Sequence, residues 1–173
     1  DYIMASTLSV SKIQGLSTAA SPTTIEIASG HKITGAAGAL NISGTVLQVL
    51  GDSLATQLTT ASTTFITTGV SVDITPSSSS NKIAVFFGLP TYAAVGSHFV
   101  GTIYRDSTNL GNSNWGMGFG SNSIAVNVNG AFFDSPNTTS QVTYAIYCRS
   151  YSGTGYAMIN NAMASLTVME IAQ

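Results

Sequence analysis

From Thr45 to the end of the chain, apolar and polar residues alternate with a period of two in short blocks closed by turn residues. That pattern favours extended chain over helix for most of the sequence. Strands are predicted over residues 46–50, ending at Gly51-Asp52, over 63–68 and over 70–74, the last closed by Pro76 and a serine run. The block 82–87 is apolar on both faces and reads as a central strand that Pro90 should bar from continuing its ladder. Further strands are expected over 98–106, 141–149 and 164–171. Residues 123–134 form either one long strand or a hairpin broken at Asn129-Gly130. A helix over 52–58, capped by Asp52, ranks second to extended chain because the Thr59-Thr60 and Thr63-Thr64 pairs that follow are β-branched. The result is an all-β fold with about eight strands, an antiparallel, jelly-roll-like sandwich over residues 46–173.

Residues 1–45 differ. Tyr2 is their single aromatic residue, so they have little with which to fill a core. Their apolar residues, Ile25, Ile27, Ile33, Leu40 and Ile42, come in short pairs separated by glycine and serine, and the Ile25/Ile27 pair recurs as Leu40/Ile42. Two copies are too few for a self-standing solenoid, so this segment reads as a fibrous, shaft-like strip stabilised by winding against copies of itself. The chain starts at Asp1 and not Met, which reads as a trimmed piece of a longer polypeptide.

Charged residues make up 7% of the chain, with 5 Lys+Arg against 7 Asp+Glu. Five scattered cations cannot form the basic stripe that phosphate neutralisation needs, which excludes nucleic acid as a main partner. Solvation falls instead to hydroxyls and amides: 24 Ser, 22 Thr and 11 Asn. No apolar run approaches the length of a membrane-spanning helix, so no membrane insertion is expected. Cys148, the single cysteine, lies in an apolar strand pattern and reads as a small core residue. His31 and His98 stand far apart without a second ligand nearby, and neither a metal site nor a cofactor is expected. The carboxylates offer no catalytic pair: Asp52, Asp73 and Asp134 fall in turns or at strand ends, where they cap backbone amides, and Asp106 sits in a turn after Arg105. The chain therefore reads as non-enzymatic.

The loops carry what chemistry remains. Asn112 and Asn114 flank the only tryptophan, Trp115, while Tyr92, Tyr151 and Tyr156 stand beside glycines or small residues in other predicted loops. An aromatic face for the apolar side of a sugar ring, with amides for its hydroxyls, is the equipment of saccharide recognition. The competing reading is that Trp115 closes one end of the sandwich or packs in a subunit interface.

The block 62–83, with Thr63-Thr64-Phe65-Ile66, Gly69-Val70-Ser71-Val72-Asp73-Ile74 and Ser77 to Lys82, resembles the start of a C-terminal domain common in tail fibres and related virion proteins of bacteriophages, particularly marine and cyanobacterial ones. Tyr104-Arg105-Asp106-Ser107-Thr108, Phe133-Asp134-Ser135-Pro136-Asn137 with Val142-Thr143-Tyr144, and Leu166-Thr167-Val168-Met169-Glu170-Ile171 are similar to that family's later signatures, in the same order. The resemblance spans roughly residues 45–173, and residues 8–44 look like the shaft that often precedes such heads. It implies a homotrimer at a fibre end, on the surface of the extracellular particle, contacting a host-surface glycan or protein or another virion protein. It brings no catalytic residues. The expected function is a trimeric virion fibre or tip protein mediating host attachment. The alternatives are a purely structural virion component, such as a capsid decoration or connector, and a depolymerase, which would need a pair of facing carboxylates.

Overall fold

The computed structural model describes residues 42–173 and, apart from them, Ser29. Ile25, Ile27, Ile33 and Leu40 of the expected shaft lie outside the described residues, as does His31. Ile42 lies within them and is 58% exposed.

The described chain is a jelly-roll-like sandwich of two antiparallel sheets. Eleven strands run in the order β1 (Val46–Leu54), β2 (Leu58–Thr60), β3 (Ile66–Ile74), β4 (Lys82–Ala93), β5 (His98–Arg105), β6 (Thr108–Asn109), β7 (Gly118–Ser121), β8 (Ala125–Asp134), β9 (Val142–Ser150), β10 (Gly155–Ala157) and β11 (Ala164–Ile171), with one 3-10 turn at Ile159–Asn161. The first sheet has the order β1-β11-β4-β10-β2, with β8 on the other edge of β4. The second has the order β3-β9-β5, with β6 and β7 sharing the far edge of β5.

Alternation fixes which side of each strand is buried. Val70, Val72 and Ile74 of β3 face Ile83, Val85 and Leu89 of β4 across one core, which also takes in Phe99, Ile103, Tyr144, Ile146, Cys148, Leu166 and Val168. Each large aliphatic or aromatic side chain removed from water there stabilises the fold by about 1.5–3 kcal/mol.

Three expectations need correction. Pro90 does not end its strand: β4 runs through it to Ala93, paired throughout with β8. A strand residue's N–H and C=O point to the same side, and the Pro90 carbonyl accepts from the Met158 N–H at 2.7 Å. The missing N–H therefore faces the side where β11 pairing ends at Gly88 and β10 pairing begins at Thr91, so no ladder bond is lost. Of the two readings of residues 123–134, the structure has the single long strand, since β8 passes straight through Asn129-Gly130 opposite Gly88 and Phe87. The strand expected to end at Gly51-Asp52 runs on, with β1 paired to β11 as far as Leu54, so residues 52–54 are extended chain and not the second-ranked helix. Asp52 accepts the Ser53 N–H at 2.8 Å and, across the edge, the Ser71 N–H at 2.9 Å. The two blocks expected over 63–68 and 70–74 merge into one strand, β3, which starts at Ile66 and has a bulge at Gly69, whose φ of +90° suits the residue without a Cβ.

Candidate functional site

The outward positions of the second sheet carry a row of aromatic rings. Along β5, Phe99 and Ile103 point into the core, so His98, Val100, Thr102 and Tyr104 face outward. On β9, Ile146 and Cys148 are buried while Tyr147 and Arg149 face outward, opposite Thr102 and Val100 respectively. β7 sets Phe119 opposite Val100 from the other edge. Tyr151 follows β9 and is fixed by its N–H donating to the His98 carbonyl at 2.8 Å.

The loop between β6 and β7 completes the row. Asn112 Oδ1 accepts the N–H groups of Asn114 and Trp115 at 2.8 and 2.9 Å, and Asn112 and Gly116 exchange backbone bonds of 2.9 and 2.8 Å. The loop lies directly on the sheet. Gly116 has φ +55°, and a Cβ there would strike the Gly101 carbonyl, so the close approach requires glycine. Arg149 clamps the loop from below, donating through Nη1 to the Thr63 carbonyl at 2.9 Å and through Nη2 to the Asn114 carbonyl.

Two aromatic clusters result, joined by that arginine. In the first, the Trp115 and Tyr151 rings lie parallel within 4° with centroids 5.4 Å apart, and His98 meets Trp115, Phe119 and Tyr151 edge-on at 5.4, 5.0 and 5.7 Å. In the second, Tyr104 stacks on Tyr147 at 4.2 Å and takes the Phe65 ring edge-on at 6.0 Å. The Arg149 guanidinium lies 5.3 Å from the Phe65 ring centre and 6.0 Å from that of Tyr151. Burial, and then the proximity of Tyr147, raise the Tyr104 phenol above its ordinary 10.0, so it is a neutral hydrogen-bonding group. From His98 to Tyr104 the row extends about 20 Å along β5. Three of its rings remain well exposed, Trp115 at 40%, Phe119 at 45% and Tyr151 at 52%. Large exposed aromatics gathered in one place on a sheet are the mark of a contact surface.

Of the residues chosen from the sequence, the structure brings together Trp115, Tyr151, Asn112 and Asn114. The Asn112 carbonyl oxygen is occupied in shaping the loop, so that residue holds Trp115 in place. Tyr92 and Tyr156 lie elsewhere. They are strand residues, not loop residues, paired across β4 and β10 of the first sheet with ring centroids 5.8 Å apart. The alternation of β5 and β9 makes the outward parity of His98, Tyr104, Tyr147 and Arg149 readable, but not that Gly118–Ser121 is a strand carrying Phe119, nor the register that joins β5, β7 and β9.

The carboxylates are engaged structurally. Asp134 accepts from Arg105 Nη1 at 2.8 and 2.6 Å and from the Tyr144 hydroxyl at 2.6 Å, an ion pair in place of the amide cap expected for it. Burial, and then the bond to Asp134, push the Tyr144 phenol far above its usual value. Asp106 accepts the Thr143 N–H at 2.9 Å and Asp73 the Thr143 hydroxyl at 2.6 Å, so both tie their elements to β9. Among the described residues no group of three His, Cys, Asp or Glu side chains is arranged to hold a metal ion. Cys148 is fully buried, and burial pushes its thiol up to about 12.

No family model matches the chain, and no curated protein matches it. Among solved structures it is similar to the infectious bursal disease virus VP2 subviral particle, with a TM-score of 0.48 and 10% identity over 73% of this chain and 34% of that one. It is similar also to the T13 particle of the same virus, with a TM-score of 0.44 and 10% identity over 82% of this chain and 40% of that one. The chain thus spans well under half the length of either.

Proposed function

We propose that this chain is a trimeric virion fibre or tip protein whose sandwich head attaches the particle to a host-surface glycan through the aromatic row of the second sheet. The observation that carries this reading is the exposed Trp115–Tyr151–Phe119 platform, held in place by Asn112, Gly116 and Arg149. Ring faces accept the apolar faces of sugars, and the Arg149 guanidinium, the Tyr104 and Tyr147 hydroxyls and the Asn114 amide supply polar contacts beside them. The ordered resemblance of residues 45–173 to phage fibre heads supports the same assignment, and the shaft-like composition of residues 1–45 supports self-association. Binding of the full chain to an immobilised panel of bacterial surface glycans, with Trp115→Ala beside it, tests the reading. Attachment predicts binding weakened at least tenfold by the substitution. A purely structural virion component predicts no glycan binding by either protein, and that result would replace the proposal.

A further inference from the structure

A second site lies on the opposite sheet. The outer face of the first sheet contains a depression of about 440 Å³, within the range of small-ligand sites, formed where β11, β4 and β8 run side by side. Gly88 is its base. It pairs with Ser165 of β11 on one side and Asn129 of β8 on the other, and a Cβ built on it would lie 3.5 Å from Asn127 Nδ2, 3.6 Å from Asn127 Oδ1 and 3.8 Å from Ser165 Oγ. The hollow exists because position 88 has no side chain. Phe86, 44% exposed, stands two residues along the same strand and supplies an apolar wall.

The polar groups around this hollow are unoccupied. Among the described residues, no intramolecular hydrogen bond engages the side chains of Asn127, Asn129, Ser165 or Thr167, all of which line it. Asn112, beside Trp115, contrasts with them, since its side-chain oxygen already accepts two backbone N–H groups. Two amides, each with two donors and an acceptor oxygen, and two hydroxyls, each donor and acceptor, therefore converge with one exposed aromatic ring. None of the lining residues is charged. An apolar partner surface pressed onto this hollow would leave four polar side chains unsatisfied, at a cost for each. An anionic ligand would find no counter-charge.

We infer that this hollow is a binding site for a neutral saccharide unit, with Phe86 against the ring and Asn127, Asn129, Ser165 and Thr167 on its hydroxyls. The site is independent of the aromatic row on the second sheet. The test is binding of the full chain to immobilised neutral disaccharides of glucose, galactose, mannose and N-acetylglucosamine, with Gly88→Val and the double variant Asn127→Ala/Asn129→Ala. A valine fills the base of the hollow with contacts that begin at ordinary van der Waals distance, and the asparagines are exposed, so the fold should persist; an unchanged melting profile checks this. Binding of at least one disaccharide, weakened tenfold or more by both variants, is the expected result. No binding by the parent chain overturns the inference. So does binding that survives both variants and is lost with Trp115→Ala, which would belong to the aromatic row. A change of native mass caused by Gly88→Val without sugar would assign the hollow to a subunit contact and overturn it as well.

Discussion

Glu170 is fully buried and accepts four hydrogen bonds: from Gln48 Nε2 at 2.6 Å, the Ser77 N–H at 2.7 Å, the Ser77 hydroxyl at 2.8 Å and Asn81 Nδ2 at 2.7 Å. Burial alone would raise its pKa, but these donors outweigh burial and hold the carboxyl below its ordinary value of 4.5. A carboxylate that titrates lower in the folded chain than in the unfolded one stabilises the fold at every pH above the unfolded value, and that contribution disappears as the pH falls through the folded one. Glu170→Ala should therefore cost about 3 kcal/mol at neutral pH, since it strands the buried Asn81 amide and takes the acceptor away from Gln48 and Ser77. In denaturant melts the gap between the two proteins should narrow as the pH falls below 4.5, because acid removes the part of Glu170's contribution that belongs to the carboxylate. A constant gap down to pH 3 would contradict this account. The sequence shows Glu170 alternating among apolar residues of a strand, but not that Gln48 and the Ser77–Asn81 turn, from two distant stretches, meet it.

The strands were largely legible because their cause is local. Alternation and turn residues mark β5, β9 and β11 to within a residue and β3 to within three, with Gly69 hidden as a bulge. The errors fall where the cause is a neighbour. Pro90 looks like a strand terminator until β11 and β10 are seen to leave a gap at its nitrogen, and Asn129-Gly130 leaves a hairpin and a long strand both open until its ten-residue strand is seen laid along β4. The same limit governs the sites. Trp115 and Tyr151 stand out by residue type, but that Phe119 and His98 join them depends on the pairing of β5 with β7 and β9. The Gly88 hollow depends on three strands and has no local signature. The loop that presents Trp115 needs glycine at its close approach to the sheet: Gly116→Ala places a Cβ against the Gly101 carbonyl at a positive φ and should cost about 1–3 kcal/mol. The same variant should bind surface glycan more weakly than the parent at temperatures where both are folded; unchanged stability and binding would show that the loop does not need this approach.

At the scale of the whole molecule, the described sandwich supplies its own core, whereas residues 1–45 are too poor in bulky side chains to do so. The proposed trimer rests on that contrast. Native mass spectrometry of the full chain should give three times 17.8 kDa, and Leu40→Asp or Ile42→Asp should shift the population towards monomer while the melting transition of the sandwich stays in place. A 17.8 kDa particle at micromolar concentration would refute the trimer without touching the two proposed sugar sites.

The proposed attachment surface can be read directly, because the chain contains one tryptophan and that residue belongs to the exposed cluster of the aromatic row. Titration of the full chain with a surface polysaccharide it binds should shift the Trp115 emission to shorter wavelength in a saturable manner, as a sugar face replaces water on the indole. Saturable binding registered by calorimetry with no change in that emission would place the polysaccharide elsewhere and contradict the account.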